Sequence, residues 1–128
     1  MKKLFLLFSH TLTTEQIADA KETFKIEEFV ELPLELQKLW SNVPSELDDV
    51  SLYLEPLKHY LKEQSSAEDM VLIQGDFGAT YYMVNAVKSL GLKAVHATTK
   101  RDVVEKTIDD KVVKTSVFKH VRFRVYAY

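Results

Sequence analysis

Two short runs of uninterrupted apolar residues constrain this chain more than anything else in it: Leu4-Phe5-Leu6-Leu7-Phe8 and Met70-Val71-Leu72-Ile73. A strand with one face in water alternates apolar and polar positions. A run with no polar position is buried on both faces, which is the environment of a central strand in a parallel sheet covered by helices. Each run leads into a polar or glycine-bearing stretch and then a helical pattern. After Ser9-His10, Thr13 and Gln16 have the spacing of a capping box, and Ile17, Ala20 and Phe24 follow at helical intervals. After Gln74 to Thr80 comes a helix carrying Tyr82, Val84, Ala86, Val87 and Leu90, with Gly91 as its natural C-terminal stop.

The remaining segments fit the same alternation. Residues 27–32 (EEFVEL) form a second strand closed by Pro33, and Leu34 to Trp40 is a short helical pattern. Ser45 opens a helix to about Gln64, in which Pro56 should produce a kink or a split, because proline lacks a backbone donor and clashes with the preceding turn. Residues 92–97 (LKAVHA) are a further strand, ending in the loop Thr98-Thr99-Lys100-Arg101. Val103 to Val113 then reads as a β-hairpin around Asp109-Asp110. In the last segment Val121, Phe123 and Val125 alternate with His120, Arg122, Arg124 and Tyr126, giving one apolar and one cationic face. Strands alternating with helices imply an α/β fold with a mainly parallel sheet flanked by helices and right-handed crossovers, completed by a C-terminal β-hairpin extension. With 128 residues, one domain spanning 1–128 is expected.

The chain has no cysteine, which excludes disulfides, zinc–thiolate sites, iron–sulfur clusters and cysteine nucleophiles. The histidines at 10, 59, 96 and 120 show no metal-ligand spacing, so no metal and no cofactor is expected; His59 and His96 read as structural or surface residues. The five-residue apolar run after Lys2-Lys3 is too short for a signal peptide, and no stretch approaches a membrane span, so a cytoplasmic location without membrane partners is expected. A formal net charge of -2 argues against duplex DNA as partner. The charge is unevenly placed, however. Residues 1–92 carry 8 Lys+Arg against 15 Asp+Glu, and residues 93–128 carry 9 against 4. This is either a solvated basic hairpin or a local site for a small polyanion.

In open α/β sheets, ligands bind beyond the carboxyl ends of the strands. Three such ends carry chemistry: Ser9-His10, the Gln74-Gly75-Asp76-Phe77-Gly78-Ala79-Thr80-Tyr81 segment, and Thr98 to Arg101. Two glycines before a helix allow close backbone approach by an anion. The spacing fits neither a Walker loop nor a dinucleotide fingerprint, and Asp76 has an ordinary alternative role as helix cap. Phe77 is either core or a stacking surface. Lys100 and Arg101 suit phosphate oxygens, and Arg122 and Arg124 with His120 suit a phosphate backbone or simply protect an edge strand. His10 and His120 are candidates for proton transfer. Trp40 reads as core or interface.

The stretches FLLFSHTLT, ELQKLWSNVP, QGDFGATY and TTKR…SVFKHVRFR together resemble a small family of stand-alone CRISPR-associated proteins of the Csx type, over nearly the whole chain. The resemblance implies a CARF-like domain, Rossmann-like in fold, that binds cyclic oligoadenylate. It further implies a metal-independent ring nuclease that cleaves cyclic tetra-adenylate and so switches off type III CRISPR antiviral signalling. It also implies a homodimer with one ring across the two-fold axis. In such proteins a hydroxyl after the first strand and a cation after a later strand lie near the scissile phosphates; the matching positions are Ser9 and Lys100 or Arg101. Gln74, Phe77 and Tyr81 are available to adenine faces. Two other readings stand beside this one: a sensor or sink that holds the ring uncut, and a flavodoxin-like domain whose basic hairpin binds a protein.

Overall fold

The computed structural model describes residues 1–127. In chain order the elements are β1 (Lys3–Leu7), α1 (Thr14–Phe24), β2 (Glu28–Glu31), α2 (Leu34–Ser41), α3 (Ser51–Gln64), β3 (Met70–Ile73), α4 (Phe77–Ser89), β4 (Lys93–Ile108) and β5 (Lys111–Val125). The strands form one sheet in the order β2-β1-β3-β4-β5. β2, β1, β3 and β4 are parallel, and β5 returns antiparallel to β4. The architecture is therefore mixed α/β, mostly parallel, with an antiparallel C-terminal pair.

The two apolar runs are the central strands, β1 beside β3, and every residue of β3 is buried. Their alternate side chains feed two cores. Phe5, Leu7, Val71 and Ile73 join Trp40, Leu54, Leu57, Leu61, Met83 and Val87 under α2, α3 and α4. Leu4, Met70 and Leu72 join Ala20, Ile26, Val95 and Phe123 under α1. The connection from β1 runs one way along the sheet to β2, and the later ones run the other way. Right-handed crossovers then require α1 on one face and α2–α4 on the other. The direction reverses between β1 and β3, so the helices that follow these neighbouring strands leave from opposite faces.

Local signals explain most boundaries. Thr13 accepts from the Gln16 amide while the Gln16 side chain accepts from the Thr13 amide, so α1 begins on the expected capping box. Asp76 caps α4 by accepting from Ala79 N at 2.9 Å. Gly91, at φ 80°, follows the end of α4 in a left-handed conformation that suits glycine. At the opposite end of the strands, buried Asp69 accepts from Lys3 N and Ser66 N, tying β1 to the loop before β3.

Three expectations are corrected. The helix expected from Ser45 begins at Ser51, where Asp49 accepts from the Ser51 amide, and Pro56 lies inside a continuous α3 rather than splitting it. Thr98 to Arg101 is not a loop. It lies within β4, which continues to Ile108 and returns from Lys111 as β5 through a two-residue turn. Asp109 and Asp110 both have positive φ (51° and 61°), the requirement of a turn whose twist matches the hairpin. The strand and the hairpin expected separately are thus one long ribbon.

The third correction concerns faces. Thr98 pairs with Arg122 but Thr99 pairs with His120, so Val121 is an extra residue, a β-bulge. The simple alternation inferred from His120 onward therefore fails. The bulge turns His120 to the same face as Phe123, with ring centroids 4.9 Å apart, and Val121 is left 55% exposed. His120 does not belong to a cationic face with Arg122 and Arg124.

Candidate functional site

Adjacent strands β1 and β3 end side by side, and each leads into a helix. The amino-termini of α1 and α4 therefore open at the same edge of the sheet, from opposite faces. Two of the three expected segments meet there. The Gln74 amide donates to Leu7 O at 3.0 Å, joining the ends of β1 and β3. Trp40 Nε1 donates to Gln74 O at 3.1 Å, fastening α2 to the same point. The Gln74 side chain accepts from Ala97 N at 2.7 Å, so its carbonyl oxygen ties β3 to β4 rather than facing a ligand.

Ser9 is exposed, with Oγ 2.9 Å from Ser41 Oγ. Gln37 Nε2 donates to both Phe8 O (3.1 Å) and Ser41 Oγ (3.0 Å). The sequence reading missed Gln37 and Ser41. Their i,i+4 spacing on α2, flanking Trp40, is the signal that places them on one face. Ser9, His10, Gln37 and Ser41 line an open cleft of about 780 Å³ between β1, β2 and α2. His10 is exposed and packs edge-on against Phe8, with centroids 5.4 Å apart.

Gly75 is required for a different reason than ligand approach. A Cβ there would sit 3.0 Å from Cε2 and Cζ2 of Trp40, so it is the indole that comes close to the backbone. At Gly78 a Cβ would meet only Asp76 Oδ1, at 3.5 Å. Gly75→Ala should therefore cost about 1–3 kcal/mol by forcing the indole to move. Gly78→Ala, inside α4, should instead stabilise by about 0.5–1 kcal/mol. Urea unfolding of both variants checks this opposition of sign.

Phe77 settles on the surface side of the earlier alternatives: it is 95% exposed, and Tyr81, one turn on, is 75% exposed. With Thr80, Val84, Asn85 and Tyr126 they line a shallow hollow of about 580 Å³. Thr80 Oγ1 is buried there without a hydrogen-bond partner among the described residues. Ala79 is part of the core.

The third segment rises past this edge instead of closing over it. Thr98 Oγ1 donates to Arg122 O at 2.9 Å, bracing the bulge, and the Arg101 guanidinium donates twice to Ser116 Oγ on the returning strand. Lys100 and Lys119 are paired across the ribbon, and Lys119 lies 3.7 Å from Asp102. Arg122 and Arg124 are exposed opposite Thr98 and His96. Lys100, Lys119, Arg122 and Arg124 thus share one face of the ribbon, and Arg101 lies on the other.

His120 has a partner that sequence spacing did not show. Its Nε2 lies 2.7 Å from Asp19 Oδ2, and only 6% of its side chain is exposed. A carboxylate can only accept, so Nε2 carries the proton, while Nδ1 is buried without a hydrogen-bond partner among the described residues. Burial opposes ionisation of Asp19, but hydrogen bonds from Thr23 and His120 and the charges of His120 and Arg122 outweigh it and hold the carboxyl below its ordinary 3.8. With Thr13, Thr14, Glu15, Gln16, Thr99 and Phe118, His120 lines a second cleft of about 420 Å³ at the start of α1. His96 lies against Tyr126, and burial followed by the nearby Arg124 charge lowers its pKa. His59 sits on α3 beside Glu63. Among the described residues, no helix is long and apolar enough to cross a membrane.

Residues 2–124 match the model of the "Uncharacterized protein MJ1673 family". The chain belongs to that family. It is 50% identical over 126 residues to the protein MJ1673 of Methanocaldococcus jannaschii, covering 98% of each chain. No solved structure matches it.

Proposed function

We propose that this member of the MJ1673 family binds cyclic oligoadenylate, most readily cyclic tetra-adenylate, at the carboxyl edge of a Rossmann-like, CARF-like sheet and cleaves it without a metal. The observation that carries this reading is the pairing of two helix amino-termini, those of α1 and α4, at the ends of neighbouring strands β1 and β3. Backbone N–H groups and helix dipoles there favour phosphates, and the direction reversal between β1 and β3 is where open α/β sheets hold nucleotides. The exposed hydroxyl of Ser9 lies at the same edge, and the basic ribbon flanks it. Phe77 and Tyr81 offer flat surfaces to bases.

In the reaction, a ribose 2′-hydroxyl attacks the adjacent phosphorus, the P–O5′ bond breaks, and a 2′,3′-cyclic phosphate and a 5′-hydroxyl result. The proton leaves the 2′-oxygen and one is delivered to the 5′-oxygen. Holding the attacking oxygen in line supplies much of the acceleration, up to about 7–11 kcal/mol in the best cases. Lys100, Arg101 or Arg122 stabilises the developing charge. His120, oriented by Asp19, or exposed His10 handles the proton.

The test is incubation with cyclic tetra-adenylate in EDTA, with products followed by mass spectrometry. Linear products ending in a cyclic phosphate are expected. An intact ring that does not raise the melting temperature overturns the reading. One observation favours a second reading, a sensor that holds the ring uncut: His120 Nδ1 is buried. An intact ring that stabilises the protein would select it.

A further inference from the structure

Beyond the bulge, β4 and β5 leave the body of the protein as a two-stranded ribbon, and every residue from Val103 to Lys119 is exposed. With strands rising about 3.3 Å per residue, it projects about 25 Å. Its sequence is not that of a solvated hairpin. Val103, Val112 and Phe118, 55%, 64% and 67% exposed, lie on one face; Val104, Val113 and Val117, 40–42% exposed, lie on the other. A ribbon that buries neither face is marginal in water, and exposed apolar surface of this extent marks an interaction site.

We infer that the ribbon is a dimerisation arm and that its occupant is the body of a second copy of this chain. The charge distribution selects that partner. Residues 1–92 carry 8 cations against 15 anions, and the ribbon residues 99–120 carry 6 against 4, so the body and ribbon segments of one chain have opposite charge. Within the ribbon the ion pairs Lys114–Glu105 and Lys119–Asp102 occupy two of its carboxylates, and the other two, Asp109 and Asp110, are confined to the turn. Lys100, Lys106 and Lys111 remain for an external acidic surface. Reciprocal docking about a two-fold axis buries both arms in one step. It also closes the assembly, so that β5, an edge strand of 15 residues, does not recruit further chains.

The inference stands apart from ring cleavage, and its test reads association alone. Sedimentation velocity of the full chain should show a species of twice 14.8 kDa. The double variant Val104→Glu/Val117→Glu changes only exposed side chains. It should keep its far-ultraviolet circular dichroism and associate at least about a hundredfold more weakly, because each new carboxylate is buried unpaired in the dimer. A photo-crosslinking residue at 113, in a mixture of light and heavy isotope-labelled chains, should join peptides from residues 1–92 of the other label. A wild-type monomer up to about 100 µM, with or without affinity of the ribbon for single-stranded RNA, overturns the inference. So does an unchanged dimer in the double variant, or crosslinks confined to one label.

Discussion

Replacement of Trp40 by alanine is expected to destabilise the protein by about 3–5 kcal/mol, a large share of the total stability of a domain this size. The indole is 2% exposed and packs in the core beneath α2, α3 and α4, so its removal leaves a cavity that the surrounding leucines fill only in part. Its Nε1 also holds the Gln74 carbonyl, and its edge packs on Gly75, so the same change loosens the turn into α4. Trp40→Phe separates the two roles. It keeps most of the volume, forfeits the hydrogen bond and should cost about 1–2 kcal/mol. Since Trp40 is the single tryptophan, unfolding has to be followed by circular dichroism. If Trp40→Ala cost no more than Trp40→Phe, the volume of the indole would contribute nothing to the core.

His120→Ala is expected to lower single-turnover ring cleavage by about a hundredfold or more while leaving ring affinity nearly intact, the signature of a lost proton-transfer group. Asp19→Asn should act in the same direction and more weakly, because an amide still accepts from the imidazole but no longer places a carboxylate beside it. A purely structural pair would instead weaken binding and cleavage together. The pair has its own pH signature in the folded state. The Asp19 carboxyl is held below 3.8 when folded and returns to that value when unfolded. Its contribution to stability is therefore complete above that pH and is lost as the pH falls through the lower folded value. Wild type should lose more of its melting temperature than Asp19→Asn below about pH 4, with the two curves parallel near neutrality. Parallel curves throughout would show that the Asp19–His120 hydrogen bond contributes nothing in the fold.

The basis for these expectations was divided between sequence and structure. The two apolar runs, the capping box at Thr13, the Asp76 cap, Gly91 and the Asp-Asp turn were legible because each is a local rule: burial on both faces, a side chain reaching three residues along, a backbone angle. From these came a mostly parallel sheet with helices on both faces and its C-terminal hairpin. The three ligand-edge segments were legible as candidates for the same reason.

Only the tertiary structure decided the rest. The extra residue Val121 flips every side chain beyond it, and nothing local distinguishes a bulge from continued alternation. Asp19 and His120 are 101 positions apart, so their hydrogen bond exists only once α1 lies against β5. Gly75 looked like a ligand turn because the indole that crowds it comes from another helix, 35 positions earlier. Thr98 to Arg101 has the polar composition of a loop but pairs with β5 across the ribbon, since a partner strand satisfies its backbone as well as water does. Local chemistry was set by neighbours in the chain; which groups face one another was set by packing, and packing is a property of the whole sequence at once.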